Sequence, residues 1–241
     1  MKSLILAGGK GTRFSEETTT KPKPMIEILK KPMLLYIIEH YQSFGINDFV
    51  ILGGTKIDYI VDYFSSKFKN IDKKNNLYEI EKKIKVQILD TGVETATGGR
   101  VKKAIESLNL DRFLLTYGDG ISNVNIKKLV DFHKTNKTIG TLTAVRPPAR
   151  FGSLEISDDK VVHFGEKNQA NEGWINGGFF VFENKISEYI GYDSTPLELE
   201  PLVNLTKENQ LSAFKHTGFW QPVDTIREKE MLEKAILNGK Y

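Results

Sequence analysis

Two patterns of apolar and polar positions alternate along the first half of the chain. Short apolar or alternating segments, which are typical of strands, lie at residues 2–6, 49–52, 84–88, 113–116 and 140–145. Segments with an apolar residue at every third or fourth position, which are typical of amphipathic helices, lie at residues 33–44, 57–68, 99–108 and 126–134. Gly45 is suited to ending the first of these helices. This order predicts an α/β fold, with a Rossmann-like, mostly parallel sheet flanked by helices.

The second half of the chain predicts an added mixed β region. Strands are expected on both sides of a turn at Asp158 and Asp159, and again at residues 179–182 and 211–214. A helix is predicted at residues 197–207, and a last helix begins after Thr225, where Glu228 completes a capping box. The polar segment 70–83 predicts an exposed excursion, and GFWQPVD predicts a loop. Because no linker divides the chain, we expect one domain over residues 1–241, with a core at 1–145 and the β region in 146–241.

Composition excludes several classes of function. The 34 basic and 31 acidic side chains give a net charge of +3, which is too small to indicate nucleic acid or an anionic membrane as the main partner. The absence of cysteine excludes disulfides, thiolate metal sites and a cysteine nucleophile. No segment approaches the roughly 20 apolar residues of a membrane span, so a cytoplasmic protein is expected.

A glycine-rich loop, LAGGKGTR, follows the first predicted strand. Gly8, Gly9 and Gly11 allow the backbone to approach a ligand, and their N–H groups can face phosphate oxygens, with Lys10 and Arg13 adding positive charge. The loop lacks the GKS or GKT of a Walker A motif and the third glycine of the dinucleotide fingerprint. A tight structural turn is the alternative.

Three further residues are candidates for phosphate and metal binding. Lys23 lies between two prolines in KPKPM, so its ammonium is pre-positioned for a phosphate, unless it is an ordinary solvated lysine. Asp119 in YGDG follows a central strand, where a carboxylate between glycines can hold Mg²⁺, or can simply belong to a turn. Asp224 is a second candidate ligand, with helix capping as its alternative.

The remaining polar residues narrow the type of reaction. Arg100 ends TGGR, and its rigid guanidinium suits recognition of a phosphate or a base edge. The four histidines share no catalytic spacing, so the sequence offers neither a clear base nor a nucleophile. A substrate that brings its own ionised nucleophile, such as a phosphate monoester with a second pKa of about 6, fits this pattern.

Taken together, LAGGKGTR, KPKPM, YGDG and the late VD resemble the sugar-1-phosphate nucleotidyltransferases. The segments DTGVETATGGR, PPARFGSLEI, WINGGFFVF and GFWQPVDTIREK resemble the glucose-1-phosphate cytidylyltransferases within that family, and the resemblance covers nearly the whole chain. It implies a Mg²⁺-dependent reaction of CTP with glucose 1-phosphate that gives CDP-glucose and pyrophosphate for lipopolysaccharide biosynthesis, by a homo-oligomer. One departure is Asn168, which stands where the family has the proline of EKP.

The resemblance also implies the roles of individual residues. The catalytic residues would be Arg13, Lys23 and Asp119, and the metal ligands Asp119 and Asp224. The nucleotide would contact Leu6, Ala7, Gly8, Gly9, Lys10, Gly11, Thr12, Arg13, Lys23, Thr97, Gly98, Arg100, Gly118, Asp119 and Gly120. The sugar phosphate would contact Glu166, Lys167, Asn176 and Gly177.

The sequence leaves three alternatives open. The first is a related transferase that uses another nucleoside triphosphate or another phosphorylated substrate. The second is an NAD(P)-dependent oxidoreductase on a Rossmann core, and the third is a binding module without activity.

Overall fold

The computed structural model describes residues 1–9, 11, 15–147, 153–165 and 173–241. The strands of this part are β1 (Ser3–Leu6), β2 (Glu27–Ile28), β3 (Lys31–Pro32), β4 (Asp48–Gly53), β5 (Lys69–Asp72), β6 (Leu77–Ile80), β7 (Ile84–Asp90), β8 (Arg112–Tyr117), β9 (Gly120–Ser122), β10 (Gly140–Val145), β11 (Ser153–Ser157), β12 (Lys160–Gly165), β13 (Ile175–Glu183), β14 (Leu211–His216) and β15 (Trp220–Pro222). The α-helices are α1 (Ser15–Thr18), α2 (Met33–Ser43), α3 (Ile57–Lys67), α4 (Thr97–Leu108), α5 (Ile126–Asn136), α6 (Glu200–Lys207) and α7 (Ile226–Leu237). In the same described ranges, 3₁₀ helices span Lys23–Met25 and Asn184–Tyr189.

A large sheet runs through the described part of the chain in the order β14-β10-β13-β8-β1-β4-β7-β6-β5. Strands β8, β1, β4 and β7 are parallel neighbours, and β10 is parallel to β14. Strand β13 lies between β8 and β10 and is antiparallel to both. The predicted fold class, a mostly parallel sheet with an added mixed β region, is confirmed.

The central strands of the sheet are buried on both faces, which explains their continuous apolar sequences. Along β4, Phe49 and Ile51 pack with residues of α2, α3 and α5, whereas Val50 and Leu52 pack with residues of α4 and α6. All four side chains are fully buried. Each contributes about 1.5–3 kcal/mol of burial free energy, so the two faces together fix which helix covers which side.

Two local sequence signals correctly predict the end of a helix and a turn between two strands. Helix α2 is followed by Gly45, which has a φ of +81° and donates its N–H to the Gln42 carbonyl at 2.8 Å. Asp158 and Asp159 both have positive φ and join β11 to β12. Glycine and aspartate tolerate this backbone region better than most residues.

Three sequence-based expectations are wrong. Residues 70–83 include most of a hairpin, β5–β6, that extends the sheet from β7, and its Tyr78 is fully buried against Phe64. The segment GFWQPVD contains β15, which pairs with β9. Helix α6 begins at Glu200, not at residue 197, because Pro201 fits only the first turn of a helix.

None of the described helices is both long and apolar enough to cross a membrane.

Candidate active site

A cavity of about 480 Å³ opens at the carboxyl ends of β1 and β8. Ligands of open α/β sheets bind beyond these strand ends. The described residues of its wall are Leu6, Ala7, Gly8, Gly9, Gly11, Lys23, Pro24, Val93, Glu94, Thr95, Ala96, Thr97, Arg100, Tyr117, Gly118, Asp119, Pro196, Glu198 and Asp224.

Lys23 joins the two candidate metal ligands. Its Nζ donates to Asp119 Oδ2 at 2.9 Å and also to Asp224 Oδ1. The following Pro24 packs so closely on Gly118 that a Cβ there would lie 2.6 Å from the proline Cγ. Only 12% of the Lys23 side chain is exposed, so the ammonium is held in place by the rigid segment that carries it.

The charge of Lys23 is secured by its partners. Burial lowers the pKa of the lysine, but Asp119 and Asp224 together outweigh burial and raise that pKa above its ordinary value. Lys23 is therefore a cation throughout the neutral pH range.

The pairing of β9 with β15 brings the two aspartates together. Pro222 lies opposite Gly120 in this pair, and the Val223 N–H donates to the Asp119 carbonyl at 2.9 Å. Helix α7 is capped by Thr225, whose Oγ1 accepts from the Glu228 N–H at 3.2 Å. Capping therefore does not explain Asp224, whose carboxylate lines the cavity.

The two carboxylates fit a Mg²⁺ ion that arrives with a nucleotide. They already converge on one cation, the Lys23 ammonium, and their oxygens are the ligands that Mg²⁺ prefers. Within the described residues, no group of three or more acidic, histidine or cysteine side chains forms a complete metal site. Mg²⁺ needs no such group, because it binds through one or two carboxylates, substrate phosphates and water.

Arg100 is held by the walls of the cavity. Its guanidinium donates to the carbonyls of Gly53 at 2.7 Å and Gly8 at 2.9 Å, and to Thr91 Oγ1 at 2.6 Å. The side chain fills the space above the glycine loop, since a Cβ on Gly8 would lie 2.2 Å from the Arg100 Cζ. Arg100 thus ties the loop after β1 to the ends of β4 and β7, while its contact with a base stays a prediction.

The structure brings most of the predicted residues to the cavity or beside it. Gly120, Asn176 and Gly177 line a smaller adjoining pocket that shares Tyr117 and Asp119 with the cavity. Gly98 instead faces away from the cavity wall, where a Cβ would lie 2.6 Å from the Thr195 carbonyl oxygen. Five predicted residues lie outside the described part of the chain: Lys10, Thr12, Arg13, Glu166 and Lys167.

Sequence reasoning missed four polar side chains of the wall, Glu94, Thr95, Tyr117 and Glu198. The Tyr117 hydroxyl donates to Glu198 Oε1 at 2.6 Å and accepts from Asn176 Nδ2 at 3.3 Å. Burial, and then the charge of Glu198, raise the pKa of Tyr117, so it remains a donor. The position of Tyr117 directly before Gly118 and Asp119 was a usable signal, whereas Glu198 lies in a segment without any motif.

Comparison with known proteins identifies the family. The nucleotidyl transferase family profile matches residues 2–228. A glucose-1-phosphate cytidylyltransferase of Salmonella typhi is 44% identical over 250 aligned positions, which cover 100% of this chain and 97% of that protein. A mannose-1-phosphate guanyltransferase of Saccharomyces cerevisiae is 30% identical over 98% of this chain and 64% of that protein.

A solved structure agrees with the fold. UDP-glucose pyrophosphorylase, complexed with UDP-glucose, superposes with a TM-score of 0.73 over 99% of this chain and 98% of that chain. At 18% identity this similarity shows the fold alone. The profile match and the full-length relative show more: this chain belongs to the nucleotidyl transferase family.

Proposed function

We propose that this protein transfers a cytidylyl group from CTP to α-D-glucose 1-phosphate. A phosphate oxygen of glucose 1-phosphate would form a bond to the α-phosphorus of CTP, while the bond from that phosphorus to the oxygen of the β-phosphate breaks. The products are CDP-glucose and pyrophosphate. The observation that carries the proposal is the position of Lys23, Asp119 and Asp224 together in a cavity walled by the glycine loop.

The residues of the site suit this displacement. The phosphate monoester is ionised at neutral pH, so no residue has to remove a proton from the nucleophile. The Lys23 ammonium would stabilise negative charge on the reacting phosphates, and the backbone N–H groups of the glycine loop would bind the remaining phosphate oxygens. Asp119 and Asp224 would hold Mg²⁺, which when bound offsets the repulsion between the two anionic substrates.

The choice of CTP is supported by the relatives. The Salmonella typhi cytidylyltransferase is 44% identical over the whole chain, whereas the yeast guanyltransferase is 30% identical. The second candidate function, transfer from another nucleoside triphosphate, is supported by the guanyltransferase at its lower identity. Assembly into a homo-oligomer stays a prediction.

A screen of pyrophosphate release tests the proposal. CTP, UTP, dTTP and GTP are each combined with glucose 1-phosphate, mannose 1-phosphate and galactose 1-phosphate, with Mg²⁺ present. We expect the highest kcat/KM for CTP with glucose 1-phosphate. If CTP is the poorest of the four nucleotides, the cytidylyl assignment is wrong and the second candidate replaces it.

The metal ligands are tested by Asp224→Asn and Asp119→Asn. Each variant is expected to fold but to be nearly inactive, and to need a higher Mg²⁺ concentration for half-maximal activity. The double variant should be little worse than either single one, since residues that act as a unit are not additive. Asp48→Asn is the matched control, because Asp48 accepts a hydrogen bond from Lys2 at 2.6 Å outside the cavity. Strictly multiplicative losses at saturating Mg²⁺ would argue against a shared ion.

A further inference from the structure

The segment before α6 is laid directly against the start of α4. The Ala96 N–H donates to the Asp193 carbonyl at 2.8 Å, and the Gly99 N–H donates to the Thr195 carbonyl at 3.3 Å. A Cβ on Gly99 would lie 2.2 Å from the Asp193 oxygen, so only glycine allows this approach. The close contact carries Glu198 to the cavity wall.

The Glu198 carboxylate is oriented by two hydroxyl groups. Tyr117 Oη donates to its Oε1 at 2.6 Å, and Thr97 Oγ1 donates to its Oε2 at 2.7 Å. Thr97 Oγ1 in turn accepts from the Leu197 N–H at 2.8 Å, which fixes the direction of its own donation. A carboxylate can accept about four hydrogen bonds, so two of these acceptor positions are still open in an exposed side chain.

The charge of Glu198 restricts what it can contact. The substrate phosphates are expected at the Lys23 ammonium and the glycine loop, because the Glu198 carboxylate repels them. Hydrogen-bond donors are what a fixed carboxylate binds best, and the uncharged donors of both substrates are mainly sugar hydroxyls. Through Tyr117, Glu198 is also connected to Asn176 in the adjoining pocket.

We infer that Glu198 is a substrate-contacting residue that accepts hydrogen bonds from sugar hydroxyl groups and thereby determines specificity. The hydroxyls belong either to the ribose of the nucleotide or to the hexose of the acceptor. This inference rests on the proposed function. A site built around such an acceptor rejects an analogue that lacks the hydroxyl, because the bound analogue takes water away from the carboxylate and gives it no hydrogen bond in return.

Deoxy analogues of both substrates test the inference. Wild-type enzyme is compared with Glu198→Gln using 2′-deoxy- and 3′-deoxy-CTP, and the 2-, 3-, 4- and 6-deoxy forms of glucose 1-phosphate. We expect wild type to discriminate against at least one analogue by about 10- to 100-fold in kcat/KM, the usual value of a hydrogen bond to a charged group. In Glu198→Gln that discrimination should fall to about threefold or less. Discrimination against a deoxy-CTP identifies the ribose as the contact, and discrimination against a deoxy form of glucose 1-phosphate identifies the hexose.

A matched control separates this effect from a change in folding. Glu208 accepts a hydrogen bond from Tyr189 Oη at 2.5 Å and lies outside the described cavity wall, so Glu208→Gln should retain the full discrimination. Glu198→Asp retains the charge but shortens the side chain, and serves if the glutamine variant does not fold. It should also lose the discrimination.

Three results would overturn the inference. In the first, wild type accepts every deoxy analogue equally, and in the second, Glu198→Gln keeps the discrimination of wild type. In the third, the variant changes only the preference for CTP over UTP, which would assign Glu198 to the base amine. If the screen identifies a different substrate pair, its deoxy analogues are used instead, so that failure of the proposed function and failure of this inference remain distinct.

Discussion

At the scale of single residues, Lys23 is the side chain expected to contribute most to catalysis. Lys23→Ala should lower kcat by about 10²- to 10³-fold, the usual loss when one charge-stabilising contact is removed. Because its pKa is raised, the lysine stays protonated well above neutral pH, and its contribution is lost only as pH rises beyond about 10.4, the ordinary lysine value. The pH profile of kcat/KM, which reports the free enzyme, should therefore show no Lys23-dependent fall between about pH 7 and 9.5.

Lys21 supplies the control for that experiment. It lies 3.6 Å from a carboxylate oxygen of Glu17, outside the described cavity wall, so Lys21→Ala should keep wild-type kcat. A Lys23→Ala enzyme within threefold of wild type in both kcat and KM would show that the ammonium is not used in catalysis.

Arg100 and Gly8 are in contact, and the coupling between them can be measured as a change in the free energy of unfolding. Arg100→Ala leaves the buried carbonyls of Gly8 and Gly53 without their charged donor, and should cost about 2–4 kcal/mol of unfolding free energy. Gly8→Ala alone should be damaging because its Cβ displaces the guanidinium. In the Arg100→Ala background it should cost little more, a coupling of about 1–3 kcal/mol in denaturant unfolding.

The base-contact hypothesis for Arg100 gives the opposite result. Arg100→Ala would then keep its stability and raise only the KM for CTP, and the Gly8→Ala effect would add independently.

Sequence reasoning selected residues that the structure brings to one cavity where a side chain or glycine lies within a local motif. The glycine loop, Lys23, Asp119 and Asp224 were all predicted at the site, although their contacts with substrate remain predictions. The structural role of Arg100 was out of reach, because its acceptors come from the ends of three strands that only the sheet brings together. Glu198 was out of reach for the same reason, since its partners lie about 80 and 100 residues away in sequence.

At the scale of elements, the packing of α4 against the segment at residues 191–199 determines one wall of the cavity. Gly99→Ala should push that segment outward, because the new Cβ would meet a backbone oxygen and not a side chain that can rotate. We expect a loss of about 1–3 kcal/mol in stability and a fall in kcat/KM as Glu198 moves. Gly191→Ala is the control: no atom lies within 4 Å of its added Cβ, so stability and activity should be unchanged. Equal effects of the two variants in thermal melts would contradict this role for Gly99.

Strands were predictable from the sequence where both of their faces are buried. The central strands are covered on both faces and so have continuous apolar sequences, which is why β1, β4, β8 and β10 were found. Strands β5, β6 and β15 have mixed sequences, and their pairing partners, not their own composition, make them strands. Failure to predict β15 also hides part of the site, because β15 is the strand that brings Asp224 next to Asp119.

At the scale of the whole molecule, the sheet joins the two halves of the chain too closely for either to be independent. Strand β13, from the second half, separates β8 and β10 of the first half, and Leu232 of α7 packs on Ile28 and Met33. A single domain over residues 1–241 is therefore expected to unfold in one cooperative transition. Differential scanning calorimetry should give equal calorimetric and van't Hoff enthalpies, and two resolved transitions would contradict the single-domain prediction.

The insertion of β13 between β8 and β10 also has a consequence during translation. When the ribosome has released residues 1–145, β8 still has an unpaired edge, formed around Phe113, Leu114 and Leu115, whose side chains are fully buried in the finished protein. The strand that covers this edge ends at Glu183, several seconds later at a synthesis rate of about 5–20 residues per second. An apolar edge exposed for that time invites pairing with another nascent chain. Overexpressed protein truncated before residue 175 should accumulate in inclusion bodies, whereas the full chain, with β13 in place, has closed that edge.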